Sequence, residues 1–595
     1  MNVTRPRAMQ FGLSVQGESL ILQADLGGFT QQELEEAASA YRLRRKFVRL
    51  RSGAFLSGEA LHQAAQTQRL LDELDTTAER AAQGELLPEG RALYLETALA
   101  DRPQMRLDAP DKIRDWMDRL RAAQRATAEP PAGLRCTLRG YQRTGLSWLC
   151  ALADAGFGGI LADDMGLGKT VQALAMLLRA KERGETVRAL VVCPASLQLN
   201  WLSEAERFAP GLTALALMGS AAERKRVLEG QRPELLITSY DQLRRDAPLY
   251  KGIELSHVLL DEAQYIKNAA AQTAKAVKTL TARHRFAMTG TPVENRLSEL
   301  WSIFDFLMPG YLYSYKRFRE RFETPIVREQ DEEARESLRL LVAPFILRRM
   351  KRDVLDDLPE KVETVMTSEL TAEQRRLYAA QSARLLKEAE GGLADAQERM
   401  RILAGLTRLR QLCCDPRLCL EGYEGGSGKL EQCAELVRDT LEGGHRILLF
   451  SQFTSMLELI ERELTREGVR CLCLTGETPK AERLRLADAF NAGEGDVFLI
   501  SLKAGGTGLN LVGADVVIHY DPWWNVAAQN QATDRAYRIG QTRGVQVFSL
   551  IAAGTVEERI LRLQQAKTAL GKGVLEGGES LFTVDAELLH ALLKG

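Results

Sequence analysis

Ala162-Asp163-Asp164-Met165-Gly166-Leu167-Gly168-Lys169-Thr170 lies between a short apolar run, Gly159 to Ala162, and a helix-forming run, Val171 to Arg179. A loop in that setting turns backbone N–H groups and a helix N-terminus toward an anion, and its glycines let the backbone come close. The spacing predicts a phosphate-binding loop, with Lys169 on the β and γ phosphates of a nucleotide and the Thr170 hydroxyl on Mg²⁺. Asp163 stands where the strict pattern has its first glycine, so the loop alone leaves a chance turn open.

Further along, Leu259-Leu260-Asp261-Glu262-Ala263-Gln264 closes an apolar run with adjacent carboxylates. Such pairs are common on surfaces. At the carboxyl end of a buried strand they are costly unless a cation or a reacting water meets them, and a strand end is where a Mg²⁺-binding Asp and a water-activating Glu belong.

Both motifs sit in a repeating rhythm. Short apolar runs (Leu190 to Cys193, Leu235 to Thr238, Val258 to Leu260, Phe286 to Met288) alternate with helical patterns, as buried parallel strands do. The rhythm returns in Ile447 to Phe450, Cys471 to Leu474, Val497 to Ile500, Val516 to His519 and Val545 to Ile551. An α/β protein of two parallel-sheet lobes is therefore expected, spanning 134–330 and 426–595. Between them 331–425, rich in Leu, Arg and Glu, is read as a helical insertion, with glycines from Gly422 to Gly428 as a hinge.

Ahead of the lobes, 1–133 reads as an α+β accessory region. It ends at Glu129-Pro130-Pro131-Ala132-Gly133, a proline and glycine boundary. A chain of 595 residues is expected to hold several such units.

With 45% hydrophobic and 27% charged residues the composition is that of a soluble globular protein. No apolar run reaches the roughly 18 residues of a membrane span, and Met1 to Gln10 has no signal-peptide core. A cytoplasmic protein is expected. Nine scattered cysteines do not make a disulfide framework, and Cys413, Cys414, Cys419 and Cys433 lack repeated metal-ligand spacing; reduced, buried thiols are expected.

A net charge of −1 gives no global sign of a nucleic-acid partner, so local clusters must carry that reading. Six of the ten residues from Arg42 to Arg51 are basic, and Arg348, Arg349, Lys351 and Arg352 form a second cluster. Each is equally well a solvated face.

Asp-Asp-Met-Gly-Leu-Gly-Lys-Thr at 163–170 and Asp-Glu-Ala-Gln at 261–264 resemble motifs I and II of the Swi/Snf-type ATPases of helicase superfamily two. The family commonly has an acidic residue at the Asp163 position, and Asp164 stands where Glu is more usual. The likeness extends from about Leu134 to Leu563. Leu138 to Gln142 is similar to the adenine-sensing segment and Met288 to Asn295 to motif III. Ile447 to Phe453 is similar to motif IV, Ser501 to Asn510 to motif V and Gln529 to Gln541 to motif VI. Phe345 to Arg349 with Leu358 to Lys361, Leu409 to Cys414 and Asp521 to Asn525 resemble segments of the Swi/Snf branch.

The resemblance implies two RecA-like lobes closing on Mg²⁺-ATP. It implies nucleotide contacts from Gln142, from Asp163, Asp164, Met165, Gly166, Leu167, Gly168, Lys169 and Thr170, and from Gly508. Mg²⁺ would lie on Thr170 and Asp261, and catalysis would use Lys169, Asp261, Glu262, Arg535 and Arg538. Arg535 and Arg538, three apart on an expected helix, share a face and are read as arginine fingers.

The implied activity is ATP hydrolysis driving movement on double-stranded DNA by a monomeric, nucleoid-associated motor that remodels or displaces a DNA-bound protein, with a motor that recycles RNA polymerase as one rival. A strand-separating helicase on DNA or RNA is the nearest rival, and a catalytically silent scaffold the most distant.

Overall fold

The computed structural model describes residues 9–562, except 17–18, 52, 54, 88–89, 101–104, 110, 124, 126, 291–296, 355–359, 391–395, 503–508, 524–525 and 539. Two all-parallel sheets dominate it. In the first lobe the strand order is Ile346–Leu347, Gly159–Leu161, Thr281–Met288, Glu254–Asp261, Ala189–Cys193, Leu235–Ser239, Ala214–Ala216. In the second it is Lys361–Ser368, Val545–Ala552, Val516–His519, Ile447–Ser451, Val497–Ser501, Cys471–Leu474.

The central strands of both sheets are mostly apolar because helices cover both faces: Ala189–Cys193 and Ile447–Ser451 are buried at every position. The phosphate loop and the Asp261-Glu262 pair therefore emerge together at the carboxyl edge of the first sheet, on strands separated only by Thr281–Met288.

The segment 331–425 departs from the helical insertion expected of it. Helices Ala372–Glu390 and Ala396–Cys414 are present, but Ile346–Leu347 extends the first sheet and Lys361–Ser368 pairs along its whole length with Val545–Ala552 of the second. Lys361-Val-Glu-Thr-Val-Met-Thr-Ser368 has no apolar run because it is an edge strand, largely exposed along its length. Its β-branched residues are the signal that a search for buried runs passes over.

The N-terminal region holds a four-stranded sheet in the order Glu85–Leu87, Ser19–Asp25, Met9–Gln16, Met105–Asp108, against helices that include Gln31–Arg42 and Gly58–Leu74. Its apolar core is continuous with that of the first lobe. At the junction the buried Arg91 guanidinium donates to Glu73 O (2.6 Å), Tyr313 Oη (2.7 Å) and Tyr311 O (2.7 Å). Ser337 Oγ donates to Glu73 Oε1 at 2.6 Å, and Tyr94 Oη donates to the other Glu73 carboxylate oxygen. A Cβ on Gly90 would stand 2.9 Å from Tyr311 Cε2, so the chains touch there without side-chain clearance.

The Pro-Gly boundary is pinned as well. The amides of Ala132 and Gly133 donate to the Glu182 carboxylate at 3.0 and 2.8 Å. Cys413, Cys414 and Cys433 are buried free thiols. Among the described residues, no helix is long and apolar enough to cross a membrane.

Candidate active site

Gly166 and Gly168 turn the phosphate loop through φ of +80° and +76°, a region that disfavours other residues. Lys169 opens the following helix, Lys169–Glu182. Its ammonium rests on the carbonyls of Asp163 (2.6 Å) and Asp164 (3.3 Å), without a carboxylate partner among the described residues. Two neighbours brace the loop from below, since Tyr141 Oη and Gln142 Nε2 both donate to Leu167 O, at 3.0 and 3.1 Å.

Gln142 is also held within the chain. Its amide oxygen accepts from Arg139 N (2.9 Å) and its nitrogen holds the loop, so Gln142 caps a helix and supports the phosphate site. Asp163 is likewise held within the chain. Its carboxylate is fully buried and turned away from the cleft, gripped by the Arg349 guanidinium through Nε at 2.8 Å and through Nη2, with Gln172 Nε2 at 3.3 Å. The cluster at Arg348 to Arg352 is thus partly an internal clamp: Arg349 anchors the loop, and Lys351 N donates to Asp164 Oδ2 at 3.0 Å.

At the adjacent strand end, Trp201 Nε1 donates to Asp261 Oδ2 (2.8 Å) and Glu262 N to Asp261 Oδ1 (3.0 Å). Burial, with the Glu262 charge second, pushes the Asp261 carboxyl up to about 7. Such a carboxylate favours a cation beside it, and each oxygen keeps a free lone pair for one. Glu262 adopts φ +52°, a left-handed conformation costly for a residue with a side chain. Its Oε2 accepts from Gln264 Nε2 at 2.8 Å, and Thr289 Oγ1 donates to Gln264 Oε1 at 2.9 Å, so motifs II and III are joined.

The second lobe reaches into the same place, with Arg535 and Arg538 on the turns after helix Val526–Thr533 rather than on the helix expected of them. Gln531 Nε2 stands 3.5 Å from Glu262 Oε2, and Lys351 Nζ pairs with Asp534 at 2.6 Å while also donating to Tyr537 O. A Cβ on Gly166 would lie 2.9 Å from Arg538 Cβ, so the glycine admits motif VI against the loop.

Arg535 is 3% exposed, and its Nε and Nη2 have no hydrogen-bond partner among the described residues. Burial and the Arg538 charge pull its guanidinium down to about 10, against Glu262, Asp534 and Asp261, which favour the charged form. Arg538 lies beside Glu204, whose carboxyl is pushed up by burial and held down by Asn200, Arg538 and Thr170. Lys169, Thr170, Asp261, Glu262, Arg535 and Arg538 are therefore drawn into one cleft.

Gly508, Thr291 to Asn295 of motif III and Lys503 to Gly508 of motif V lie outside the described residues, as do Leu358, Pro359, Trp524 and Asn525. Leu409 to Cys414 and Asp521-Pro522 come together, with Arg410 donating to Pro522 O and standing 3.8 Å from Asp521. Sequence reading missed Trp201, Glu204, Arg349, Lys351 and Gln531 as members of the site. Trp201 and Glu204, on the helix Gln198–Phe208, carry no motif of their own.

A cleft with a phosphate loop and a carboxylate pair on one parallel-sheet lobe, faced by arginines from another, defines the class of helicase-like ATPases. Family models tile the chain: an SNF2-related domain matches 141–418, a helicase conserved C-terminal domain 428–540, and a bacterial SNF2 helicase associated region 1–131. The chain belongs to the SNF2 family.

The putative ATP-dependent helicase/translocase YwqA of Bacillus subtilis is 38% identical over 82% of this chain and 54% of its own length. The TATA-binding protein-associated factor MOT1 of Saccharomyces cerevisiae is 33% identical over 81% of this chain and 30% of its own. A solved Sulfolobus solfataricus SWI2/SNF2 ATPase core in complex with double-stranded DNA is 36% identical, over 79% of this chain and 99% of that one, with a TM-score of 0.40. The chain spans about half or less of these two curated relatives.

Proposed function

We propose that this chain is a motor that hydrolyses ATP to ADP and phosphate and uses lobe closure to step along double-stranded DNA, displacing a protein bound there. The observation that carries the reading is Arg535, a buried guanidinium with two donor atoms that have no hydrogen-bond partner among the described residues, held by the second lobe among the carboxylates of the first. Donors left unpaired in a dry cleft are preorganised for charge that develops during reaction.

In this reading Lys169 and the loop amides bind the phosphates. Thr170 and Asp261 would hold Mg²⁺, which would supply neutralisation of phosphate charge. Glu262, fixed by Gln264 and facing Gln531, orients and deprotonates the attacking water. Arg535 and Arg538 act only when the lobes meet.

Duplex DNA as the track fits the SNF2 family and the Swi/Snf segments around 345–361 and 409–414. A bound protein as the target fits the name of MOT1, which describes association with the TATA-binding protein; RNA polymerase is one such candidate, with the nucleoid as the place of action.

Parallel turnover assays with duplex DNA, single-stranded DNA and RNA test the reading. Duplex should stimulate at least as well as single strands, more weakly as salt rises, and a triplex-forming strand should be displaced while a forked duplex stays paired. Efficient fork separation, or stimulation by RNA alone, would make the protein a strand-separating helicase instead.

Glu262→Gln should keep ATP affinity within a few-fold and lower turnover by about 10² or more, because the amide preserves shape and loses the base. Single-turnover hydrolysis beside nucleotide binding separates these, and a parallel loss of affinity would make Glu262 a structural residue.

A further inference from the structure

The basic cluster at 42–51 is not consumed by the fold as Arg349 and Lys351 are. It occupies the end of helix Gln31–Arg42, the turn after it, and the separate two-stranded hairpin Phe47–Arg49 with Phe55–Ser57. All six cations, Arg42, Arg44, Arg45, Lys46, Arg49 and Arg51, are exposed, and the one ion pair among them in the described residues is Arg51–Glu36 at 3.1 Å. Between them stand Leu43 at 66% and Phe47 at 62% exposure.

We propose that this patch is a second nucleic-acid contact, gripping duplex phosphates away from the cleft between the lobes. The proposal rests on the reading of the protein as a DNA motor. Five of the six cations are arginines, whose planar forks match phosphate oxygens in pairs, and the exposed ring and leucine suit the sugar edges between phosphates. A chain of net charge −1 that gathers six cations into ten residues has a local field of one sign.

A membrane surface fits less well, because helix Gln31–Arg42 turns Leu34, Ala37 and Ala40 into the core, leaving only Tyr41, Leu43 and Phe47 exposed rather than a continuous apolar helix face. The accessory region shares the first lobe's core and is locked to it by Arg91. DNA held by the patch therefore moves with the first lobe, giving that lobe a grip independent of nucleotide state.

The test uses the full chain with Arg44, Arg45, Lys46 and Arg49 changed to glutamine, none of which makes an ion pair among the described residues. Binding of a fluorescein-labelled duplex of about 30 base pairs is followed by anisotropy across a salt series. The slope of log affinity against log salt should flatten by up to about 3.6, about 0.9 for each phosphate the variant no longer neutralises, with about ten-fold or greater weakening at moderate salt. Turnover without DNA, and at saturating DNA, should stay at the parent level, and the melting temperature should confirm the fold. Should the quadruple variant fail that control, Arg45→Gln with Lys46→Gln should flatten the slope by about half as much.

An unchanged slope and affinity in a folded variant would overturn the patch while leaving the motor intact. Absence of salt-dependent duplex binding by the parent would instead remove the DNA reading beneath it. Loss of poly-glutamate binding with duplex affinity unchanged would assign the surface to an acidic protein and likewise overturn the proposal.

Discussion

Arg535→Met should lower ATP turnover by about 10³-fold or more, leave the KM for ATP within a few-fold, and leave the melting temperature at or above that of the parent. The combination is unusual, since most buried substitutions lose stability. Here the guanidinium is 3% exposed with Nε and Nη2 unpaired among the described residues, so burial of the charge is incompletely offset there.

Methionine fills a comparable volume and removes those donors. A finger acts mainly in the transition state, so the loss falls on turnover rather than on ground-state binding. Steady-state kinetics with duplex DNA present, beside a thermal melt, decide it. Normal turnover would remove Arg535 from the catalytic machinery, and a collapse of the melting temperature with turnover would make it a structural residue.

Deletion of Met1 to Ala128 should yield an aggregated, inactive fragment. The Pro-Gly stretch at 129–133 reads in sequence as a boundary, yet one apolar core holds residues from both sides of it. The accessory region covers Tyr311, Tyr313 and Phe345, now 2%, 8% and 0% exposed, and each such aromatic uncovered costs about 1.5–3 kcal/mol of burial. The same cut strips Tyr313 Oη and Tyr311 O of Arg91, and Ser337 of Glu73.

Soluble yield, and turnover of whatever is soluble, are the measurements, and supplying residues 1–133 as a separate chain should restore part of both. A soluble, fully active fragment with the parent's melting temperature would show that the shared core contributes nothing the motor needs.

Sequence by itself determined what depends on local chemistry. The phosphate loop is legible because glycine, lysine and threonine must follow one another there for backbone reasons. The central strands are legible because burial on both faces forces an uninterrupted apolar run, and Asp261-Glu262 stands out as charge closing such a run. Nothing comparable marks the groups that tertiary structure alone decided.

Arg349 and Lys351 look like any basic surface cluster until the chain brings them to Asp163 and Asp534, more than 180 positions away. Lys361–Ser368 looks like polar linker until the second sheet gives it one partner and solvent on its other edge. The accessory region looks detachable until Arg91 finds Tyr311 and Tyr313 across more than 200 residues. An ion pair, an edge strand and a shared core each owe their energy to a partner distant in the chain, and short-range pattern holds no record of which partner arrives.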